Sequence, residues 1–181
     1  MIVLDPTQTS DADKAGAGLP LAPRLDTLEG KAIGLWSNKK LNADRLLEFI
    51  RQELASDYNF SIVHGIYDPG RLMDEHEWGD LELCDAVILA NGDCGACSTS
   101  GIANAIEMEK KGIPAVLVST TPFIDAVITT TKMSNMPDIE WVVVDHPIGS
   151  LDEAAVRQRA QHAASQIPAL MLGQDLRAAA E

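Results

Sequence analysis

Aromatic side chains are scarce in this chain, at 4% against a hydrophobic fraction of 46%. The core must therefore be aliphatic, built from Val, Ile, Leu and Ala, which suits a parallel sheet covered by helices. Basic residues are also short: 14 Lys and Arg stand against 27 Asp and Glu, a formal net charge of −13. That balance argues against a nucleic-acid partner, whose phosphates need a basic patch, and against an anionic membrane surface. No apolar run approaches the length of a membrane span. The opening Met1-Ile2-Val3-Leu4-Asp5 lacks the basic n-region and the h-region of a secretory signal. The expectation is a cytoplasmic protein whose cysteines stay reduced unless they cycle catalytically. Three cysteines do not make a disulfide framework. The 181 residues are enough for one domain with a proper core, and no internal repeat is visible.

What the chain does have is a cysteine turn between two regular segments, running from Asn91 to Gly101. Upstream lies the apolar run Ala86-Val87-Ile88-Leu89-Ala90; downstream a helical pattern runs from Ile102 to Lys111 and stops at Gly112. A short run rich in apolar residues and bounded by Gly reads as a buried strand. Cys94 and Cys97 are thus expected where a strand exits and a helix begins, the end of an open α/β sheet where ligands bind. Ser98, Thr99 and Ser100 are each candidate N-caps for that helix. Free N–H groups and the helix dipole favour an anion there. Thiolates in such places, or in Cys-x-x-Cys pairs, have pKa values of about 3.5–7.5 instead of about 8.5. Asp93 opposes this if its carboxylate faces Cys94. The competing reading is a pair of inert buried or metal-storing thiols. Cys84, at the other end of the same strand, reads as core and inert.

The rest of the chain alternates regularly. Residues 1–30 form an N-terminal arm without helix or strand period: a disordered arm, a loop folding over the site, or a dimer strap. Residues 31–181 form the α/β domain. Strands are expected at Lys31–Trp36, Phe60–Ile66, Cys84–Asn91, Ile113–Val118 and Ile139–Asp145. A helix is expected from Asn42 to about Ser56, with Leu46, Leu47, Ile50 and Leu54 on one face. A short acidic helix is expected near Arg71 to Leu83, and another from about Phe123 to Met133, with Pro122 at its first position. A last helix is capped by Ser150 with Glu153 completing a capping box, and Pro168 kinks or ends it. Five strands alternating with helices predict a single doubly wound three-layer α/β/α domain with a mainly parallel five-stranded sheet. The Ala-rich tail reads as a helical contact of a homo-oligomer.

In such a sheet every strand-exit loop reaches one rim. Ser37, Asn38, Lys39, Tyr67, Asp68, Asp93, Cys94, Cys97, Thr120, Thr121, Asp145 and His146 are then neighbours. His146 and Asp93 are candidate catalytic partners of the two thiols, although a histidine before proline also simply ends a strand. Asn38, Ser37, Ser98, Thr99, Ser100, Thr120 and Thr121 are candidate substrate-binding residues. His64 is expected packed in the sheet, His76 and His162 solvated on helices. Lys39 and Lys40 read as a solvated pair that is also able to meet an anionic substrate. The cluster Asp74-Glu75-His76-Glu77 matches no metal signature and reads as a surface face. Thr129-Thr130-Thr131 marks a fraying helix end or a polar pocket wall.

At Cys94-Gly95-Ala96-Cys97 the chain resembles the UGSC-type (seleno)protein family, named for its Sec/Cys-Gly-Ser-Cys signature. The likeness includes Leu4-Asp5-Pro6-Thr7, the Gly-Asp-Cys-Gly-x-Cys turn, Ile106 through Pro114, and Thr121-Pro122-Phe123. It implies that Cys94 stands where some members carry selenocysteine, and Cys97 at the resolving position. The signature is also similar to the Sec/Cys-x-x-Cys-x-x-Cys site of the substrate-cleaving subunits of glycine and D-proline reductases, which cleave a C–N bond reductively. Ser100 stands where their third cysteine would be, and Ala96 where the family name has Ser.

The expected function is a thiol-dependent small-molecule enzyme. Cys94 attacks, Cys97 resolves or assists, and an external thiol regenerates the pair, with no cofactor. The outcome is reductive cleavage or elimination. Other readings stay open: a metal–thiolate hydratase, since Cys94 to Thr99 resembles the nitrile hydratase claw with Thr99 for its last cysteine; a cofactorless cysteine lyase or racemase; and a non-enzymatic thiol sensor.

Overall fold

The computed structural model describes residues 18–74, 77–91 and 93–174. Residues 1–17, Glu75, His76, Gly92 and residues 175–181 lie outside the described residues. With them lie the start of the arm, the expected position of His76 and the Ala-rich tail.

Five strands form one sheet: β1 (Ala32–Ser37), β2 (Ser61–Ile66), β3 (Ala86–Ala90), β4 (Ala115–Thr120) and β5 (Trp141–Val144). All pairings are parallel, in the order β2-β1-β3-β4-β5. The helices are α1 (Ala43–Leu54), α2 (Gly95–Lys110), α3 (Ile124–Met133), α4 (Glu153–Ala164) and α5 (Ile167–Met171). The chain moves outward from β1 to β2, then returns past β1 to β3 and continues to β5. This is the doubly wound order whose direction reverses between β1 and β3.

Alternation along the strands splits the core in two. Ile33 and Leu35 of β1, with Ala86, Ile88 and Ala90 of β3, pack beneath α1, α4 and α5. Trp36, Val87 and Leu89 face the other way, beneath Ile102, Ala105 and Ile106 of α2 and Val127 of α3. Every residue of β3 is buried, as an unbroken apolar run in a central parallel strand requires. Two glycines make room for Trp36: a Cβ at Gly34 or Gly65 would fall 2.5 or 2.0 Å from its ring. No helix among the described residues is long and apolar enough to cross a membrane.

Several local expectations are corrected. Among the described residues of the acidic segment the helix is a 3₁₀ turn, Gly79–Leu83, and ahead of it Arg71 bridges Asp68 and Glu77. β4 runs through Ser119 and Thr120, so its exit loop begins later than the sequence suggested. Asp152, not Ser150, caps α4: its Oδ1 accepts from the Ala155 N–H at 2.9 Å. Thr129, Thr130 and Thr131 lie inside α3, each hydroxyl donating to a carbonyl one turn back. His64 is exposed, because β2 is the edge strand and turns that side chain outward.

The described part of the arm, residues 18–30, runs across the amino-terminal edge of the sheet, opposite the cysteine turn. Buried Glu109, near the end of α2, accepts from the Ala22 N–H and, through its other oxygen, from the Ala115 N–H that opens β4, both at 2.7 Å. Arg24 closes an ion pair with the same carboxylate. These residues therefore do not fold over the site.

Candidate functional site

The cysteine turn is held by its own sulfur. Cys94 is the N-cap of α2, in extended conformation, and its Sγ accepts the Cys97 N–H at 3.4 Å. The helix thus starts several residues before the expected Ser98–Ser100 cap. The three hydroxyls are helix-interior: Ser98, Thr99 and Ser100 donate to the carbonyls of Cys94, Gly95 and Cys97 at 3.2, 3.1 and 3.1 Å. Ser98 is also buried between Asn91, whose Nδ2 donates to its Oγ at 2.9 Å, and Ser119, which donates at 3.1 Å. Ser100 Oγ accepts the Gly70 N–H. Ser98 therefore ties the start of α2 to β4, Ser100 ties it to the Gly70 loop, and Thr99 lies outside on the exposed side.

The two sulfurs are unequal. Cys94 is partly exposed, whereas Cys97 is 1% exposed. The Cys97 thiol donates to the Cys94 sulfur; with the Cys97 and Ala96 N–H groups and the nearby Lys40 charge, this holds the Cys94 thiol below its ordinary value. Burial, and the hydrogen bond given to Cys94, push the Cys97 thiol up. Tyr67, fully buried with its hydroxyl donating to the Ala90 carbonyl at 3.2 Å, lies on the inner side of Cys97. Burial raises the Cys84 thiol to about 11 at the far end of β3.

Asp93 does not face Cys94. Its Oδ1 accepts the Ile148 N–H at 2.7 Å and its Oδ2 the Gly149 N–H at 2.6 Å. His146 Nδ1 is 3.4 Å from Asp93 Oδ1 and 3.1 Å from Thr120 Oγ1, with its ring edge-on to Phe123. Asp93, Thr120 and His146 thus form one linked group that fixes the β5 exit loop beside the cysteine turn. Asn42 adds a second tie: its Nδ2 donates to the carbonyls of Ile148, Gly149 and Leu151. Ser37 and Asn38 are buried and shape the β1 exit loop, accepting the N–H groups of Lys39 and Lys40. Thr121 is exposed in a 3₁₀ turn, Thr121–Phe123.

The loops leaving β1, β3 and β5 border an open cavity of about 430 Å³ lined by Lys40, Leu41, Asp93, Cys94, Gly149 and Ser150. It sits at the mouth of the sheet where β1 and β3 diverge, the expected ligand position for this strand order. The β2 loop does not join it: Tyr67 is buried and Asp68 pairs with Arg71. A separate cavity of about 400 Å³ lies against β2, lined in part by His64, Asp44 and Glu48, and contains no cysteine. Among the described residues, no three His, Cys, Asp or Glu side chains converge to hold a metal ion. Leu41 and Gly149 are the lining residues that the sequence did not single out. Their only signal was their place in the loops that leave the first and fifth strands.

A family model described as the UGSC family matches residues 2–173. The chain belongs to the UGSC family. The family signature therefore falls at the N-cap of α2, with Cys94 on the cavity and Cys97 behind it. No curated protein matches the chain. Among solved structures it is similar to a diflavin flavoprotein A3 from Nostoc sp., at 12% identity over 80% of this chain and 97% of that one, with a TM-score of 0.41. It is also similar to translation elongation factor SelB from Methanococcus maripaludis, at 12% identity over 74% and 35%, with a TM-score of 0.39. Neither likeness is close enough to carry an argument.

Proposed function

We propose that this UGSC-family protein is a thiol-dependent enzyme acting on a small molecule, with Cys94 as nucleophile and Cys97 as assisting and resolving thiol. The observation that supports it is the division between the two sulfurs. One is partly exposed on a cavity with its thiolate favoured; the other is buried, kept protonated, and hydrogen-bonded to the first.

That division suits a two-stage reaction. The Cys94 thiolate attacks an electrophilic carbon and forms a C–S bond. The leaving nitrogen or sulfur departs with the bonding pair and takes the Cys97 proton. Cys97, now a thiolate, attacks the Cys94 sulfur. The carbon fragment leaves with the C–S electron pair and gains a proton from water, and the cysteines are left as a disulfide. Two electrons have passed from the dithiol to the substrate, and an external dithiol restores both thiols. Asp93 and His146 act in this scheme as positioning residues that hold the Gly149 wall of the cavity.

The test is mass spectrometry of the intact protein after exposure to a pool of cell metabolites. The expected result is a Cys94–Cys97 disulfide in the wild type and a covalent adduct on Cys94 when Cys97→Ser blocks resolution. No modification of Cys94 in either protein would end this reading.

A further inference from the structure

The cavity's charge is one-sided. Lys40 is the one cationic side chain lining it, and it has no carboxylate partner among the described residues. Its neighbour Lys39 is engaged by Asp44 at 2.9 Å. The one acid in the lining, Asp93, has both oxygens turned onto backbone N–H groups of the opposite wall. Lys40 is solvent-exposed at the cavity edge, and its charge reaches the reactive sulfur, so its ammonium is available to an incoming anion. The Lys40 backbone is fixed by the buried Asn38 side chain, so the residue is anchored at its base. Asn38 Nδ2 itself is buried without an acceptor among the described residues, leaving a spare donor in the same loop.

We infer that the Cys94 cavity takes a small organic monocarboxylate, its charge held by Lys40 and its electrophilic carbon presented to Cys94. A monoanion fits better than a phosphate. The cavity offers a single point charge, and a dianion would add more repulsion than a monoanion against the Cys94 sulfur as it ionises. Leu41, 77% exposed at the rim, gives the carbon part of the ligand an apolar surface. The volume of about 430 Å³ sets the size class: a metabolite of small-molecule dimensions, not a polymer.

This inference rests on the thiol reading above, and the test separates the two. Cys94 is alkylated with iodoacetate, a carboxylate, and with iodoacetamide, its neutral counterpart, and each rate is read by peptide mapping. Loss of the Lys40 charge also alters the thiolate fraction, but that change affects both reagents alike and cancels in the rate ratio. The iodoacetate-to-iodoacetamide ratio is expected to exceed that of glutathione and to fall about fivefold in Lys40→Met, the scale of one exposed charge pair. Lys40→Arg should keep it, and high salt should lower it in the wild type without any substitution. Acetate and propionate should slow iodoacetamide more than inorganic phosphate does. A ratio equal to that of glutathione and unmoved by Lys40→Met or salt overturns the carboxylate assignment while leaving the reactive thiol intact. Better protection by phosphate overturns it too. Inertness of Cys94 to both reagents overturns the thiol reading as well.

Discussion

Replacing Cys97 with alanine removes the thiol that donates to Cys94 while leaving the Cys97 N–H, the Ala96 N–H and Lys40 in place. Hydrogen bonds to charged groups contribute about 1.5–3 kcal/mol, and a thiol is a weak donor, so the lower end applies. About 1.4 kcal/mol corresponds to a rise of about one unit in the Cys94 pKa. The rate at neutral pH is a blunt readout of this. The thiolate fraction falls by at most about tenfold, but a more basic thiolate is a better nucleophile, with a Brønsted slope of about 0.4–0.5, so alkylation slows by no more than about threefold to fourfold. The midpoint of the pH–rate curve is the sharper observable. It should move up by about one unit in Cys97→Ala and stay near the wild-type value in Cys97→Ser, whose hydroxyl restores the donor. Thermal unfolding serves as the control, since a buried sulfur is lost in one variant and replaced by oxygen in the other. A Cys97→Ala midpoint at or below the wild-type value would refute the idea that Cys97 stabilises the Cys94 thiolate.

Further outcomes follow from other contacts. Gly65→Ala sets a Cβ 2.0 Å from the Trp36 ring, so overpacking should lower stability by at least about 1–3 kcal/mol in a denaturant titration; an unchanged midpoint means that Trp36 moves freely. Asp93→Ala frees the Ile148 and Gly149 N–H groups, and hydrogen exchange at those two amides should accelerate while amides in the first turn of α2 change little. Glu109→Ala leaves Arg24 without its carboxylate and should cost about 3–5 kcal/mol, with earlier proteolytic cleavage between residues 18 and 30; unchanged cleavage there contradicts the anchoring role. The Cys84 thiol, raised to about 11 by burial, contributes stability that is full below the unfolded value and lost as pH rises through the folded one. Stability should therefore decline between about pH 9 and 11, and less so in Cys84→Ala; an equal decline in both removes Cys84 as its cause.

The layer architecture was legible because it depends on pattern. The β3 run and the Leu46, Leu47, Ile50, Leu54 stripe of α1 are each fixed by burial along their own length, and both formed where periodicity put them. The start of α2 was not legible, because three consecutive hydroxyl residues satisfy an N-cap rule and a helix-interior back-bonding pattern equally well. What decided it was the sulfur of Cys94, a weak acceptor that capping preferences pass over. Ser150 lost its expected cap for a similar reason: a carboxylate two residues later is an equally good cap and lies at the helix start. His64 depended on strand order, which alternation alone does not reveal; only the placement of β2 at the edge turns that side chain to solvent. Asp93 was placed beside Cys94 by sequence, but its direction was set by two amides some 55 residues away, beyond any local signal.

The central claim is that the fold lowers the pKa of the Cys94 thiol at the open end of its sheet. Site-resolved alkylation across pH, run on the folded protein and on the urea-unfolded chain, measures this directly. Cys94 should react first among the three cysteines, with a midpoint below its own unfolded value, while Cys84 and Cys97 stay protected until the fold opens. A folded midpoint for Cys94 at or above the unfolded one, or prior reaction at Cys97, would contradict the account.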